Sequence, residues 1–521
     1  MACAVAGQPL GGRLGRWRAA TDRPGRNTPI VVVLTIMAAV LGIVDLGTKS
    51  LWFDEGTSVA IAGLDWRGLL MEATVQGEAN MFLYHVLLHV WLGFGQSEAV
   101  IRSLSVVVAV TTVPIFYLLA ARLFDDRVAA TATSLLVLNA FFVHYAQEAR
   151  GYSLVLLLVT SSSYLMVRAV DRPTWLSWLL YAGISALSLY AHLFAGLVLL
   201  AHVISLSIRR PWVPIRKVAT AYGLVAAAGL PLLLFIFTGD RGQISWIPEL
   251  SLSSIGAAFE TLSGDNGWPL LLAYFVACLS ALLPAVDAWR SHTALAWTHS
   301  FVLCWLSIPV VISLAVSLVK PVFLDRYLIV ALPALVLTAA FGISRLRWWW
   351  VRLAALVLML SLAGQGLLAW YTQYEKEDWR AAAAYVLDES QPGDAVIFYR
   401  PRARNPFAYY LERLPADAEN LDPMYPSVGW GTYLPLPDAR AEMPEALTAV
   451  SRYSRIWLVL RPAALDVRSP EVRQLLVALD AEHVEIHRRL FTGIQVRLYQ
   501  LARELGDRTD SSVAALSYQL Q

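Results

Sequence analysis

Apolar runs of roughly membrane-crossing length, separated by short polar stretches, fill the chain from residue 29 to residue 371. A helix needs about 20 mostly apolar residues to cross a bilayer. The pattern predicts about eleven such helices, at 29–47, 99–121, 128–146, 151–169, 174–191, 193–208, 217–238, 267–288, 299–318, 327–344 and 353–371. Beyond 371 the spacing changes. Residues 379–389 have helical periodicity, Gln391-Pro392-Gly393-Asp394 reads as a turn, and Ala395–Tyr399 and Ile456–Leu460 read as short strands. A helix over 470–481 and a closing strand pair, His483–Leu490 with Ile494–Leu498, complete a small α/β pattern.

The expected division is therefore an N-terminal segment 1–28, a membrane domain 29–371 with a large loop at 48–98, an α/β domain 372–502, and a polar, frayed tail 503–521. The N-terminal segment carries Arg13, Arg16, Arg18, Arg23 and Arg26, so the first apolar run reads as an uncleaved anchor.

Charge supports the same division. Of the 80 Lys, Arg, Asp and Glu residues, 38 lie in the last 150, about the soluble norm. The first 371 residues carry only 42. Mean hydropathy is +0.54, which excludes a disordered chain. Cys3, Cys278 and Cys304 have no metal-ligand spacing, and the C-terminal domain has no cysteine to form a disulfide.

Lys and Arg are enriched in cytoplasmic loops. With the N-terminus inside, 17 fall inside and 6 outside. That places the C-terminal domain outside the cell membrane. It also gathers the polar clusters on the outer loops. The first outer loop opens with Ser50-Leu51-Trp52-Phe53-Asp54-Glu55-Gly56 and continues into two apolar helical patterns, near 57–73 and 80–94. The second is short for a span and is expected at the membrane face. Asp54 beside aromatic rings suits proton abstraction from a hydroxyl; equally, Asp54 and Glu55 suit a helix N-terminus. Glu148 and Arg150 read as an interfacial ion pair, or Arg150 as a phosphate holder. His192 reads as a hydrogen-bonding helix end or as a site residue. Lys320 and Arg326 suit an anionic headgroup, or simple snorkelling.

Several segments together resemble the GT-C glycosyltransferases, in the family 39-like branch of protein O-mannosyltransferases and the lipid A aminoarabinose transferase. They are Trp52-Phe53-Asp54-Glu55; Leu83-Tyr84-His85-Val86-Leu87-Leu88-His89-Val90-Trp91; Ser97-Glu98-Ala99-Val100-Ile101-Arg102; Tyr145-Ala146-Gln147-Glu148-Ala149-Arg150-Gly151-Tyr152; Asp325-Arg326-Tyr327-Leu328; and Glu377-Asp378-Trp379-Arg380. The resemblance implies a polytopic α-helical membrane protein of GT-C type with an extracytoplasmic α/β domain. It implies a polyprenyl-phosphate-sugar donor, a site at the outer face and inverting transfer. Asp54 takes the place of the base. Glu55 is expected to orient the acceptor or the sugar, and Arg150, Lys320 and Arg326 to offset charge on the leaving phosphate. Tyr84, Tyr145 and Tyr152 are expected to face the sugar, with Gln147, Glu148, His192, Asp325 and Tyr327 beside them. Many members carry His-Pro-Pro or Lys-Pro-Pro before the Leu-Tyr; here the residues are Asn80-Met81-Phe82, so Asn80 supplies hydrogen bonds without charge.

No cofactor is required by this reading, which leaves room for a divalent metal near Asp54 and Glu55. The acceptor class stays open among lipid, glycan and protein, and no nucleic-acid partner is expected. Two other classes compete: a transporter or flippase of lipid-linked sugars, and a non-catalytic cell-envelope assembly protein. A transporter favours ionisable residues near mid-membrane and internal repeats. The sequence shows polar clusters on one face instead.

Overall fold

The computed structural model describes residues 28–74, 80–208, 214–238, 247–290, 294–399, 401–414, 421–425, 427, 447, 450–461 and 470–503. The Arg-rich N-terminal segment, Arg209, Arg210, Arg241 and the tail from 504 lie outside the described residues. The first half of the chain contributes α1 (Thr28–Ile43), α2 (Phe53–Ala62), α3 (Trp66–Thr74), α4 (Phe82–Trp91), α5 (Glu98–Leu123), α6 (Asp126–Val137), α7 (Ala140–Ala146), α8 (Tyr152–Asp171), α9 (Trp175–Ala191), α10 (Ala195–Ile208) and α11 (Ile215–Thr238). Next come α12 (Leu252–Ser263), α13 (Gly267–Arg290), α14 (Ala294–Ser317), α15 (Leu332–Arg345, entered by a 3-10 turn from Asp325) and α16 (Trp349–Thr372). The remainder forms α17 (Trp379–Glu389), β1 (Asp394–Phe398), α18 (Arg404–Leu411), β2 (Leu421–Tyr425), β3 (Arg455–Leu460), α19 (Pro470–Glu482), β4 (His483–Phe491) and β5 (Ile494–Leu501).

These elements form two compact units. The first takes residues 1–44, 80–84 and 103–372. Among its described residues and the start of α5, six helices are long and apolar enough to cross a membrane, or seven if α6 and α7 form one bent span. Shorter apolar helices include α1, α9 and α10. The protein is thus a multi-pass membrane protein. The single run expected at 128–146 is two helices meeting at 61°. The break has a local cause: the Asn139 side chain accepts a hydrogen bond from the Phe142 N–H, capping α7. Large apolar side chains such as Phe275, Leu279 and Leu283 on α13 are exposed, as helices solvated by lipid require. On the other face of α13 the backbones approach closely. A Cβ on Gly342 of α15 would lie 1.8 Å from the Ala277 carbonyl oxygen, so only glycine fits there.

The second unit takes residues 45–79, 85–102 and 373–521. The large loop expected to belong with the membrane helices therefore packs with the C-terminal domain, except for residues 80–84. That domain holds a five-stranded sheet in the order β2-β1-β3-β5-β4. β1 pairs parallel with β2 and β3, while β5 pairs antiparallel with β3 and β4. Ala395, Ile397, Ile456 and Leu458 pack under Leu475 and Leu479 of α19. The expected strands are all present. β2, Leu421-Asp422-Pro423-Met424-Tyr425, has no alternating pattern and contains a proline, which an edge strand accommodates.

Candidate active site

In the second unit, Asp54 occupies the first turn of α2 and is half-buried. Its backbone carbonyl accepts a hydrogen bond from Ser58 Oγ at 3.0 Å. Glu55, its neighbour, is fully buried. Its carboxylate accepts Arg102 Nε at 2.8 Å and Arg102 Nη2 at 2.7 Å. It also accepts Lys376 Nζ at 3.1 Å and the Trp52 N–H at 3.3 Å. A carboxylate has about four lone-pair sites, so these four donors saturate it. Arg102 is equally complete: its remaining N–H groups reach the carbonyls of Leu46, Lys49 and Ser50 at 2.8–2.9 Å. Glu55 is thus a buried tether whose four bonds all go to protein groups. The same saturation makes it a poor metal ligand. Among the described residues no group of three His, Cys, Asp or Glu side chains converges as a metal site.

Lys49 lies near this centre with its ammonium 5.2 Å from the Tyr374 ring. Burial, then the charges of Lys376 and Arg102, lower its pKa to about 8.

The first unit brings a different set together. His192 follows the last residue of α9 and is buried. Its Nδ1 accepts the Phe194 N–H at 3.2 Å, so the ring proton of the neutral form sits on Nε2. That Nε2 is buried with no hydrogen-bond partner among the described residues. The cations acting on it are Arg150 and Arg326; burial first, and then these two charges, push the imidazole down to about 3. Tyr327 and Tyr152 flank the ring at 4.9 and 5.8 Å, and the Tyr145 ring lies tilted against Tyr152 at 4.6 Å. Arg150 lies over Tyr152 and Arg326 over Tyr327, at 6.0 and 5.9 Å. Asp325 accepts the Arg326 N–H at 2.7 Å, which fixes the start of the 3-10 turn. A neutral N–H donor, two guanidinium charges and aromatic walls can hold an anionic group.

Other expected site residues have structural partners. Gln147 caps the end of α1, donating to the carbonyls of Leu41, Gly42 and Val44 at 2.6–3.2 Å and accepting Trp370 Nε1 at 2.9 Å. Tyr84 is buried with its hydroxyl 3.0 Å from Ser105 Oγ. Glu148, expected to pair with Arg150, is buried 3.1 Å from His144 Nε2. Asn80 Oδ1 accepts the Leu193 N–H at 3.2 Å, holding the turn that carries His192. Lys320 is exposed and joins none of these contacts among the described residues. Sequence reasoning gave Arg102 and Lys376 no role. A lone Arg in the apolar run 99–121 was the available signal.

The fold is the GT-C fold. The family described as dolichyl-phosphate-mannose-protein mannosyltransferase matches residues 81–236. The chain is similar to the ArnT structure from Cupriavidus metallidurans bound to undecaprenyl phosphate, with a TM-score of 0.58 and 13% identity over 91% of this chain and 98% of that one. It is similar to the Archaeoglobus fulgidus oligosaccharyltransferase AglB in complex with an inhibitory peptide and a dolichol-phosphate, with a TM-score of 0.51 and 9% identity over 88% of this chain and 72% of that one. It is also similar to the arabinofuranosyltransferase AftD from Mycobacteria, with a TM-score of 0.51 and 12% identity over 92% of this chain and 40% of that one. No curated protein sequence matches the chain.

Proposed function

We propose that this protein is an integral-membrane glycosyltransferase that moves a sugar from a polyprenyl-phosphate donor to an acceptor hydroxyl at the outer membrane face. One observation carries the reading: the buried, unpartnered His192 Nε2–H beside the charges of Arg150 and Arg326, walled by Tyr152 and Tyr327. Such a site favours an anion, and its aromatic walls favour a ring next to that anion. The lipid chain accounts for the membrane setting, because a polyprenol stays in the bilayer while its phosphosugar reaches the interface. ArnT was solved with undecaprenyl phosphate and AglB with a dolichol-phosphate, which supports a donor of this class.

In the proposed reaction the acceptor oxygen attacks the anomeric carbon as the bond to the phosphate oxygen breaks. Asp54 takes the hydroxyl proton, and the polyprenyl phosphate leaves with its charge offset by Arg150 and Arg326. Attack opposite the leaving group inverts the anomeric centre. Supplying the purified protein with radiolabelled polyprenyl-phosphate mannose, arabinose or galactose and a membrane extract tests the reading. Label in an extract component, with free polyprenyl phosphate formed in equal amount, is expected for one donor. Intact movement of a labelled lipid between leaflets, with no sugar transferred, would establish the flippase reading instead.

A further inference from the structure

The segment carrying Asp54 is short, and nearly every residue around Asp54 is tied to the C-terminal domain. On the N-terminal side, the Leu51 N–H donates to the Tyr410 hydroxyl at 2.7 Å, and Ser50 Oγ donates to the same oxygen at 3.2 Å. Ser50 Oγ also accepts the Arg380 N–H at 3.2 Å. The Tyr410 hydroxyl in turn donates to Glu98 at 3.1 Å, and Glu98 pairs with Arg380 at 2.6 Å. At Phe53, the residue before Asp54, the backbone N–H donates to Glu377 Oε2 at 3.0 Å. The Arg461 guanidinium lies 4.0 Å from the Phe53 ring centre and pairs with Glu377 at 2.5 Å. Trp379 Nε1 donates to that carboxylate at 2.8 Å, fixing it from a third side. On the C-terminal side, Glu55 holds Lys376. A Cβ on Gly56 would lie 2.7–2.8 Å from the backbone of Pro406, so α18 is packed directly on the helix.

These bonds have a common geometry. The first N–H groups of a helix have no partner within it. Here Glu377 supplies one from more than three hundred residues away, on the residue adjoining Asp54. A carboxylate at a helix N-terminus also complements the helix dipole. The outcome is a backbone fixed on both sides of Asp54.

We propose that the C-terminal domain is the positioning scaffold of the Asp54 helix, with Glu377 and Tyr410 as positioning residues, and is not solely an acceptor-docking module or passive cap. This rests on Asp54 being the base. Misplacing a reacting group by about 1 Å costs on the order of 100-fold in rate, so loosening this clasp acts on turnover. The Glu377 carboxylate is half-buried and held by the Phe53 N–H, Arg461 and Trp379, which makes it a positioning group.

The test uses the full chain in detergent, with Glu377→Ala, Glu377→Gln and Tyr410→Phe. Arg488→Ala, which breaks an exposed ion pair with Glu485 elsewhere in the same domain, is the control. Hydrogen–deuterium exchange is read on peptides covering 50–58 and 140–152. Transfer from the radiolabelled polyprenyl-phosphate sugars is read per folded molecule, beside Asp54→Asn. Glu377→Ala and Tyr410→Phe are expected to speed exchange at 50–58 and leave 140–152 unchanged. They are expected to lower kcat about 10- to 100-fold with the donor KM within twofold. Glu377→Gln keeps an oxygen for the Phe53 N–H and should recover part of kcat. Arg488→Ala should change neither quantity. Unchanged exchange at 50–58 in both Glu377→Ala and Tyr410→Phe overturns the scaffold, whatever the activity shows. Undiminished turnover per folded molecule in both, with Asp54→Asn inactive, overturns it too while sparing Asp54. A near-native Asp54→Asn instead removes the base, and is distinguished by that variant alone.

Discussion

Replacing Glu55 with Gln is the perturbation whose cost the structure defines most fully. The side chain has 0% exposure, and those of Arg102 and Lys376 have 2% each. One anion therefore holds two buried cations. Gln keeps the shape but removes the charge, and its amide N–H₂ meets N–H donors where an oxygen stood. Breaking a buried ion pair by removing one partner costs about 3–5 kcal/mol, because the other charge stays buried and uncompensated. A unit of this size shifts its melting point by about 2–4 °C per kcal/mol, so melting should fall by roughly 6–20 °C. Differential scanning fluorimetry of the detergent-solubilised protein reads this directly. Lys376→Met in the Glu55→Gln background removes one stranded cation, so the double variant should be more stable than the sum of the single changes predicts. Wild-type melting in Glu55→Gln, combined with impaired transfer, would refute the tether and return Glu55 to the substrate.

The remaining predictions concern charge. Arg150→Ala and Arg326→Ala should each weaken donor binding and slow phosphate departure, with Lys a partial rescue because it keeps the charge and loses the planar fork; unchanged donor affinity in both would end their phosphate role. Lys49 loses its proton near pH 8 when folded and near 10.5 when unfolded, so the unfolded chain binds more protons between these values and stability from this group rises with pH across that window. Lys49→Met should flatten that rise, measured as the difference between the two melting curves against pH; parallel curves would contradict it.

Much of the membrane architecture was legible because an apolar run of bilayer length has few alternatives. The helix starts at 98, 152, 175 and 267 lie within a residue of the expected boundaries. The bend at Asn139 was not read, since a single cap inside an apolar run leaves the run's hydropathy unchanged. Nor was β2, where Pro423 hides an edge strand. The candidate site divides in the same way. His192, Arg150, Arg326 and Tyr327 were visible as polar residues at the ends of apolar runs. The saturation of Glu55 was not, because Lys376 lies 321 positions away and Arg102 lies 47 away. No local spacing encodes such a pairing. For the same reason the sequence does not show that the segment 50–56 of this loop has Glu377, Arg380, Tyr410 and Arg461 as partners.

The central claim is that Asp54 removes the acceptor proton during sugar transfer. The most direct measurement is the rate of labelled-sugar transfer by Asp54→Asn, at equal amounts of folded protein and with melting recorded alongside. Asn keeps the shape, suits a helix N-terminus and leaves the backbone bond to Ser58 in place. General-base assistance contributes about 10²–10⁴-fold, so transfer should fall by about that factor while melting and donor binding stay near wild type. Near-native transfer by Asp54→Asn would contradict the account.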